Sequence, residues 1–166
     1  MGRQGLDRRT FLSGGFAAEH LVRPPWTRDS VIAEACSGCG ACIPACPQSI
    51  ISLDRRRRPV VEFDAGECTF CGRCADACPE PVFDRSIAPF PHIAVIGDTC
   101  FPARGIVCQS CGDACPEMAI SFRLRLGGPA LPFIAADRCT GCGACIAACP
   151  ADAIAATVPK REAPHV

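Results

Sequence analysis

The sequence predicts an α+β fold built from two small modules, each with two cysteine-rich loops, short helices and small antiparallel hairpins. Three observations lead there. The 166 residues include 16 cysteines, nearly one residue in ten. Those cysteines fall into four copies of one short unit, and internal self-similarity is the mark of a repeat architecture. Short β-prone runs lie between the units, each too short to be stable alone.

Composition explains why the modules must be small. Hydrophobic residues make up 49% of the chain, but 16 are Cys and 25 are Ala, which leaves 40 Val, Ile, Leu, Met, Phe and Trp. Something other than large side chains has to fill the interior. At this length one compact domain or two small modules fit, and a large enzyme with its own substrate domain does not. The 17 Lys+Arg balance 17 Asp+Glu, which excludes a nucleic-acid binder working through a global basic field. No apolar run approaches the roughly 20 residues that span a bilayer, so no membrane span is expected.

Taken in order, the units read as follows. The first is Cys36-x2-Cys39-x2-Cys42-x3-Cys46-Pro47. The second repeats it as Cys68-x2-Cys71-x2-Cys74-x3-Cys78-Pro79. The third is Cys100-x7-Cys108-x2-Cys111-x3-Cys115-Pro116, the same unit with five residues inserted after its first cysteine. The fourth is Cys139-x2-Cys142-x2-Cys145-x3-Cys149-Pro150. No cysteine is left over.

Spacing decides what these thiols do. Three thiolates two residues apart on a tight loop can close on three irons of one cubane, while the fourth, one helical turn on, points away. This is the run of bacterial ferredoxins, in which the fourth cysteine ligates the other [4Fe–4S] cluster of a pair. A disulfide framework has no need of such uniform local spacing, and near-neighbour pairs meet disulfide geometry poorly. Zinc uses pairs of Cys-x2-Cys separated by a dozen or more residues. The sequence therefore predicts four [4Fe–4S] clusters with all sixteen cysteines as iron ligands.

Crosswise pairing of the fourth cysteine gives specific sets: Cys36, Cys39 and Cys42 with Cys78; Cys68, Cys71 and Cys74 with Cys46; Cys100, Cys108 and Cys111 with Cys149; Cys139, Cys142 and Cys145 with Cys115. The insertion makes Cys100 the outlier among them. Small residues between the ligands, such as Gly38, Gly40, Gly72, Gly141 and Gly143, are expected where backbone passes close to a cluster. Short helices are expected after each third cysteine. Strands are expected at 50–53, 60–63, 92–96, 119–124 and 131–134. Two bacterial-ferredoxin-like modules follow, at 31–88 and 92–157, with an uncleaved N-terminal segment at 1–30 and a flexible tail at 158–166.

No catalytic machinery stands beside the cysteines. His20, His92 and His165 are scattered, Tyr is absent, and Gly38-Cys39-Gly40 belongs to a cluster loop and not to a dinucleotide fingerprint. A cubane held by four cysteines has no open coordination position, so the chain is expected to move electrons and not to be an enzyme. His92 reads as a packed residue at a strand start. Arg55-Arg56-Arg57-Arg58 reads as a solvated hairpin tip or, more sharply, as a dock for an acidic partner. Trp26, after Arg23-Pro24-Pro25, either caps the first module or anchors a partner.

Arg8-Arg9 with Phe11-Leu12 looks like a twin-arginine export motif. Glu19 and Pro24-Pro25 interrupt the apolar stretch that a cleaved signal needs, so the chain is expected to stay in the cytoplasm. Together with Arg23-Pro24-Pro25-Trp26 and the third unit, Gly97-Asp98-Thr99-Cys100-x7-Cys108-x2-Cys111-x3-Cys115 followed by Met118-Ala119-Ile120, these features resemble the NapF family of ferredoxin-type proteins. The resemblance runs from about Arg8 to Ala155. It implies an iron–sulfur accessory protein of the periplasmic nitrate reductase system that binds the cytoplasmic precursor of the catalytic subunit NapA before export and supplies electrons. Two other functions fit the cysteines: an exported electron carrier of the NapG type, and a binding module whose clusters are only structural staples.

Overall fold

Small antiparallel hairpins and one-turn helices carry the regular structure of the computed structural model, which describes residues 21–159. The chain enters as a strap over its first half. Val22 accepts from the Val61 N–H at 2.8 Å, Trp26 donates to the Pro89 carbonyl at 2.8 Å, and Trp26 in turn accepts from Asp84 at 2.8 Å. Pro24 is fully buried. Helix α1, Asp29–Ala35, follows directly, with Asp29 in its first turn and Ile32 buried; an acidic residue there complements the positive end of the helix. The boundary drawn at residue 30 falls inside this helix.

The other four α-helices among the described residues are single turns: α2 Cys42–Ala45, α3 Arg73–Asp76, α4 Ser110–Asp113 and α5 Ala144–Ala147. Each contains the third cysteine of its unit, where a helix was expected to follow it. Each closes before the fourth cysteine, and the proline after that cysteine lacks the N–H to continue. The third unit's insertion forms a 3₁₀ turn, Phe101–Arg104, which Gly105 ends in the left-handed region.

Strands β1, Ile51–Leu53, and β2, Pro59–Val61, pair in the register Ile51↔Val61. Strands β4, Ile120–Arg125, and β5, Gly128–Ile134, pair as Ile120↔Ile134, with an irregularity at Arg123/Arg125. Between them β3, Ile93–Ile96, waits for β6, Ile154–Thr157, and the two pair antiparallel as Ile96↔Ile154. That last pairing closes a loop of some 60 residues around both later cysteine units. Strand β6 was missed in the sequence because Ile-Ala-Ala-Thr has little β propensity; its burial against β3 supplies what propensity does not.

Two cores result. One gathers Ile50, Ile51, Val61, Phe63, Cys74 and Phe90; the other is Ala94, Cys111, Cys145 and Ile154. Ile146 packs against both. The second core contains one large aliphatic chain and two cysteines, so thiols stand where other proteins place leucines.

Candidate metal centres

Each cysteine unit reaches its site through the same local device. The first two cysteines lie on an irregular loop, the third sits inside a one-turn helix, and the fourth leaves the end of that helix in the opposite direction. Four apolar cavities lie beside these loops. Site A is walled by Cys36, Cys39, Cys42 and Cys78 with Leu53, Val82 and Phe83. Site B is walled by Cys46, Cys68, Cys71 and Cys74 with Ile50, Ile51 and Phe70. Site C holds Cys100, Cys108, Cys111 and Cys149 with Ile96, Phe101 and Pro102. Site D holds Cys115, Cys139, Cys142 and Cys145 with Ile120, Ile134 and Ile146.

The structure thus gathers the sixteen cysteines in four groups of four, each taking one cysteine from the neighbouring unit. None is in a disulfide. Cys100 joins its group despite the insertion: Phe101 and Pro102 of the 3₁₀ turn line site C while residues 103–107 are exposed, and Arg125 holds that turn by donating to the Pro102 carbonyl at 2.9 Å. Cys74, Cys111 and Cys145 are buried, Cys39 and Cys71 are exposed, and the rest are half-buried.

Backbone amides and a hydroxyl address the sulfurs. The Ala119 N–H donates to Cys115 Sγ at 3.3 Å, Ala153 to Cys149 at 3.3 Å, and Ala94 to Cys139 at 3.5 Å. Ser110 Oγ lies 3.6 Å from Cys108 Sγ. Such contacts favour negative sulfur and help set the potential of a bound cluster.

Protons on these thiols are held tightly in the absence of a cation. Burial, and then the neighbouring thiols, push Cys145 up to about 12 and Cys74 up to about 11. Cys68 and Cys111 are pushed up to about 11 for the same first reason. Cys39 goes the other way, lowered by the Ala41 N–H and the Ser37 hydroxyl. Four thiolates around an apolar space repel one another, and only a multiply charged cationic centre makes the set stable.

The residues present fit a [4Fe–4S] cluster. Four thiols stand around each apolar cavity, the donor set that a polynuclear iron–sulfur centre takes. Thr140 supplies a second observation. Its Oγ1 is buried on the wall of site D without a hydrogen-bond partner, and a cluster sulfide is an acceptor of the kind it lacks.

The five glycines expected beside a cluster each wall a cavity, Gly38 and Gly40 at site A, Gly72 at site B, and Gly141 and Gly143 at site D, and those of site D also make room for neighbouring chain. A Cβ on Gly141 would meet the His92 carbonyl at 2.7 Å, and one on Gly143 would fall within the Phe63 ring. Both have positive φ, so these positions let the loop of site D turn and let neighbouring chain pack on its outer face. His92 is buried there as expected, with Nε2–H donating to the Gly141 carbonyl at 2.9 Å. Trp26 packs edge-on to Phe70, with ring centroids 6.4 Å apart, and Arg85 sits over its ring at 5.8 Å. The Arg55–Arg58 run forms the β1–β2 tip. The twin-arginine-like start lies outside the described residues. Among the described residues no helix is long and apolar enough to cross a membrane.

Comparison with known proteins adds identity to this geometry. Residues 35–82 and 105–153 match the model of the 4Fe–4S dicluster domain. The second match begins beyond Cys100, where the insertion breaks the common spacing. The chain is 40% identical over 164 residues to the ferredoxin-type protein NapF of Haemophilus influenzae, covering 91% of this chain and 93% of that one. It is 41% identical over 153 residues to the ferredoxin-type protein NapF of Escherichia coli K12, covering 90% and 93%. An uncharacterized protein of Haemophilus influenzae is 33% identical over 153 residues, covering 89% and 85%. The chain carries [4Fe–4S] clusters in ferredoxin-like dicluster domains, its place is that of an electron carrier or accessory protein and not an enzyme, and it belongs to the NapF family of ferredoxin-type proteins.

Proposed function

We propose that this chain holds four [4Fe–4S] clusters, one in each of sites A to D, in two modules at 31–88 and 92–157. It works as an accessory protein in maturation of the periplasmic nitrate reductase catalytic subunit NapA. It binds the NapA precursor in the cytoplasm before export and supplies electrons to it. The observation that carries the cluster reading is the crosswise grouping of thiols, four to each cavity.

The chain's own residues do three things in this reading. Buried Cys74, Cys111 and Cys145 exclude water from one face of a site. Amides at Ala94, Ala119 and Ala153 stabilise charge on sulfur. Exposed Cys39 and Cys71 leave an edge at which electrons enter or leave. Each cluster supplies one-electron chemistry when bound. A protein partner is supported by side chains that the fold leaves uncovered: Leu124 and Leu126 at the β4–β5 tip are 94% and 103% exposed, and Val107 is 78% exposed. Exposed apolar side chains at one hairpin tip suit contact with a protein partner.

Pull-down against the NapA precursor, with and without its signal peptide, tests the partner. Capture of the precursor supports the proposal, and no capture of either form by the iron-loaded chain overturns it. Redox titration tests the electron role: clusters that stay oxidised down to roughly −700 mV, the lower limit for such centres, would leave them as structural staples. A fusion of residues 1–30 to a reporter that reached the periplasm would overturn the cytoplasmic location.

A further inference from the structure

The two halves of the chain meet at one main-chain contact between cysteine loops. The Cys68 N–H donates to the Cys142 carbonyl at 2.8 Å. Cys68 walls site B and Cys142 walls site D. We infer that the four sites form one linear series, A–B–D–C, and that electrons cross between the halves at the Cys68–Cys142 contact. This rests on the four-cluster reading and adds an order to it.

The other two links follow from chain connectivity. Cys42 of site A and Cys46 of site B are four residues apart across α2, roughly 6 Å of helical rise. Cys74 and Cys78 repeat that link across α3. In the second half Cys111 and Cys115 join sites C and D across α4, and Cys145 and Cys149 do so across α5. Each half therefore couples its own pair through two one-turn helices, and these helices pack on one another, α2 on α3 and α4 on α5.

Sites B and D are the inner pair because the Cys68–Cys142 peptide contact joins their loops. Beside the peptide contact, Gly143 of the site D loop lies against the Phe63 ring, and Ile146 of the same loop packs into the first core. Among the described residues no backbone hydrogen bond joins the loop at 36–42 to that at 100–111. Sites A and C are the two ends; exposed Cys39 places an open edge at the A end, and exposed Cys71 places one at inner site B.

The crossing moves one electron and nothing else. Clusters held by the cysteines of sites B and D would supply and accept that electron, one centre being oxidised as the other is reduced. No proton is transferred and no ligand is exchanged, since the hydrogen bond between Cys68 and Cys142 is already made. The position of Gly143 is what allows this approach. A side chain there forces the loop of site D and the Phe63 ring apart.

Electron paramagnetic resonance of the dithionite-reduced full-length chain tests the order. A variant with Cys36, Cys39, Cys100 and Cys108 changed to Ala keeps only the inner sites, and its spectrum is expected to be broadened by magnetic interaction between them. A variant with Cys68, Cys71, Cys139 and Cys142 changed to Ala keeps only the ends, and it is expected to show two isolated, slowly relaxing signals. Isolated signals from the first variant, or broadening in the second, overturn the series. Gly143→Ala in the otherwise complete chain gives an independent reading: the interaction between the halves is expected to weaken at unchanged iron content and to recover only in part in Gly143→Ala with Phe63→Ala, because the left-handed backbone at 143 stays strained. An unaltered interaction in Gly143→Ala overturns the crossing. Iron analysis of the wild-type chain separates this from failure of the four-cluster reading, which alone predicts a lower iron count.

Discussion

Arg23 donates from Nη1 to the Asp54 carboxylate at 3.1 Å and so ties the segment before α1 to the β1–β2 turn. Both side chains are mostly covered, 18% and 12% exposed. Asp54 also accepts the Arg56 and Arg58 N–H groups at 2.9 Å each. Burial alone would raise this carboxyl, but the Arg58 amide, Arg23 and the Arg56 amide outweigh it and hold it below its ordinary value. Asp54→Ala leaves two turn amides without their acceptor, and the expected loss is about 2 kcal/mol. Asp54→Asn keeps an acceptor oxygen and is expected to lose less. Chemical denaturation of the iron-loaded protein at neutral pH reads both, and wild-type stability in the Ala variant would contradict the role given to this carboxylate.

His92 makes stability depend on pH in one direction. Its neighbours are the Phe63 and Phe90 rings, with centroids at 6.0 Å and 4.6 Å, and the Gly141 carbonyl. Burial lowers its pKa from 6.5, and the bond to Gly141 offsets this only in part. Between the lowered value and 6.5 the unfolded chain binds a proton that the folded chain does not. Stability is therefore full above about 6.5 and declines as pH falls through the lowered value. His92→Gln is expected to melt lower at neutral pH and to lose this slope. A wild-type melting temperature that rises on acidification below pH 6.5 would contradict the assignment.

How much of this was legible follows from what kind of signal each feature carries. The cysteine grouping was readable because ligand spacing is local: Cys36, Cys39 and Cys42 must lie on one loop whatever surrounds them. Hairpins β1–β2 and β4–β5 were readable because their strands are neighbours in sequence. Strand β6 was not, since Ala155 and Ala156 carry no pattern and only its pairing with β3 makes it a strand. Helix α1 and the strap before it were also hidden. Their order comes from contacts with Val61, Asp84 and Pro89, which are distant in sequence. Gly143 walls site D, as its place between ligands suggests, but its contact with Phe63 was not legible, because sequence shows that a side chain is missing and not which neighbour would meet it.

Arg57 donates to the Gly38 carbonyl at 3.2 Å and so fastens the basic tip onto the loop of site A. Arg55 and Arg56 beside it are exposed, as is Cys39. Glu80 on the same wall contributes one opposing charge. With clusters bound, the chain is expected to be acidic elsewhere, which leaves this tip as the attractive face for an acidic redox partner. Arg55→Ser with Arg56→Ser is expected to slow association with such a partner by about tenfold at low salt, with the difference disappearing near ~1 M salt, where the screening length is about 3 Å. Stopped-flow measurement across salt concentrations reads this directly. Equal rates at low salt would leave the tip as a solvated turn.

Iron removal should affect the two halves unequally. The thiols of Cys145 and Cys74, pushed up to about 12 and about 11, are protonated in the iron-free chain at neutral pH. Loading must then release a proton from each of these buried thiols before any charge carried by the iron and sulfide supplied is counted. A pH-stat trace during reconstitution reads this. Once iron is chelated, the first half still has Ile50, Ile51, Val61, Phe63 and Phe90 to bury. The second has Ala94 and Ile154 beside two cysteines, and its β3–β6 closure spans about 60 residues, whose loop entropy no comparable core offsets. Hydrogen exchange on the iron-free protein is expected to show residual protection at Val60 and Val61 and none at Ala94 and Ile96. Protection retained equally in both halves would mean that side-chain packing, and not the clusters, holds the second half together.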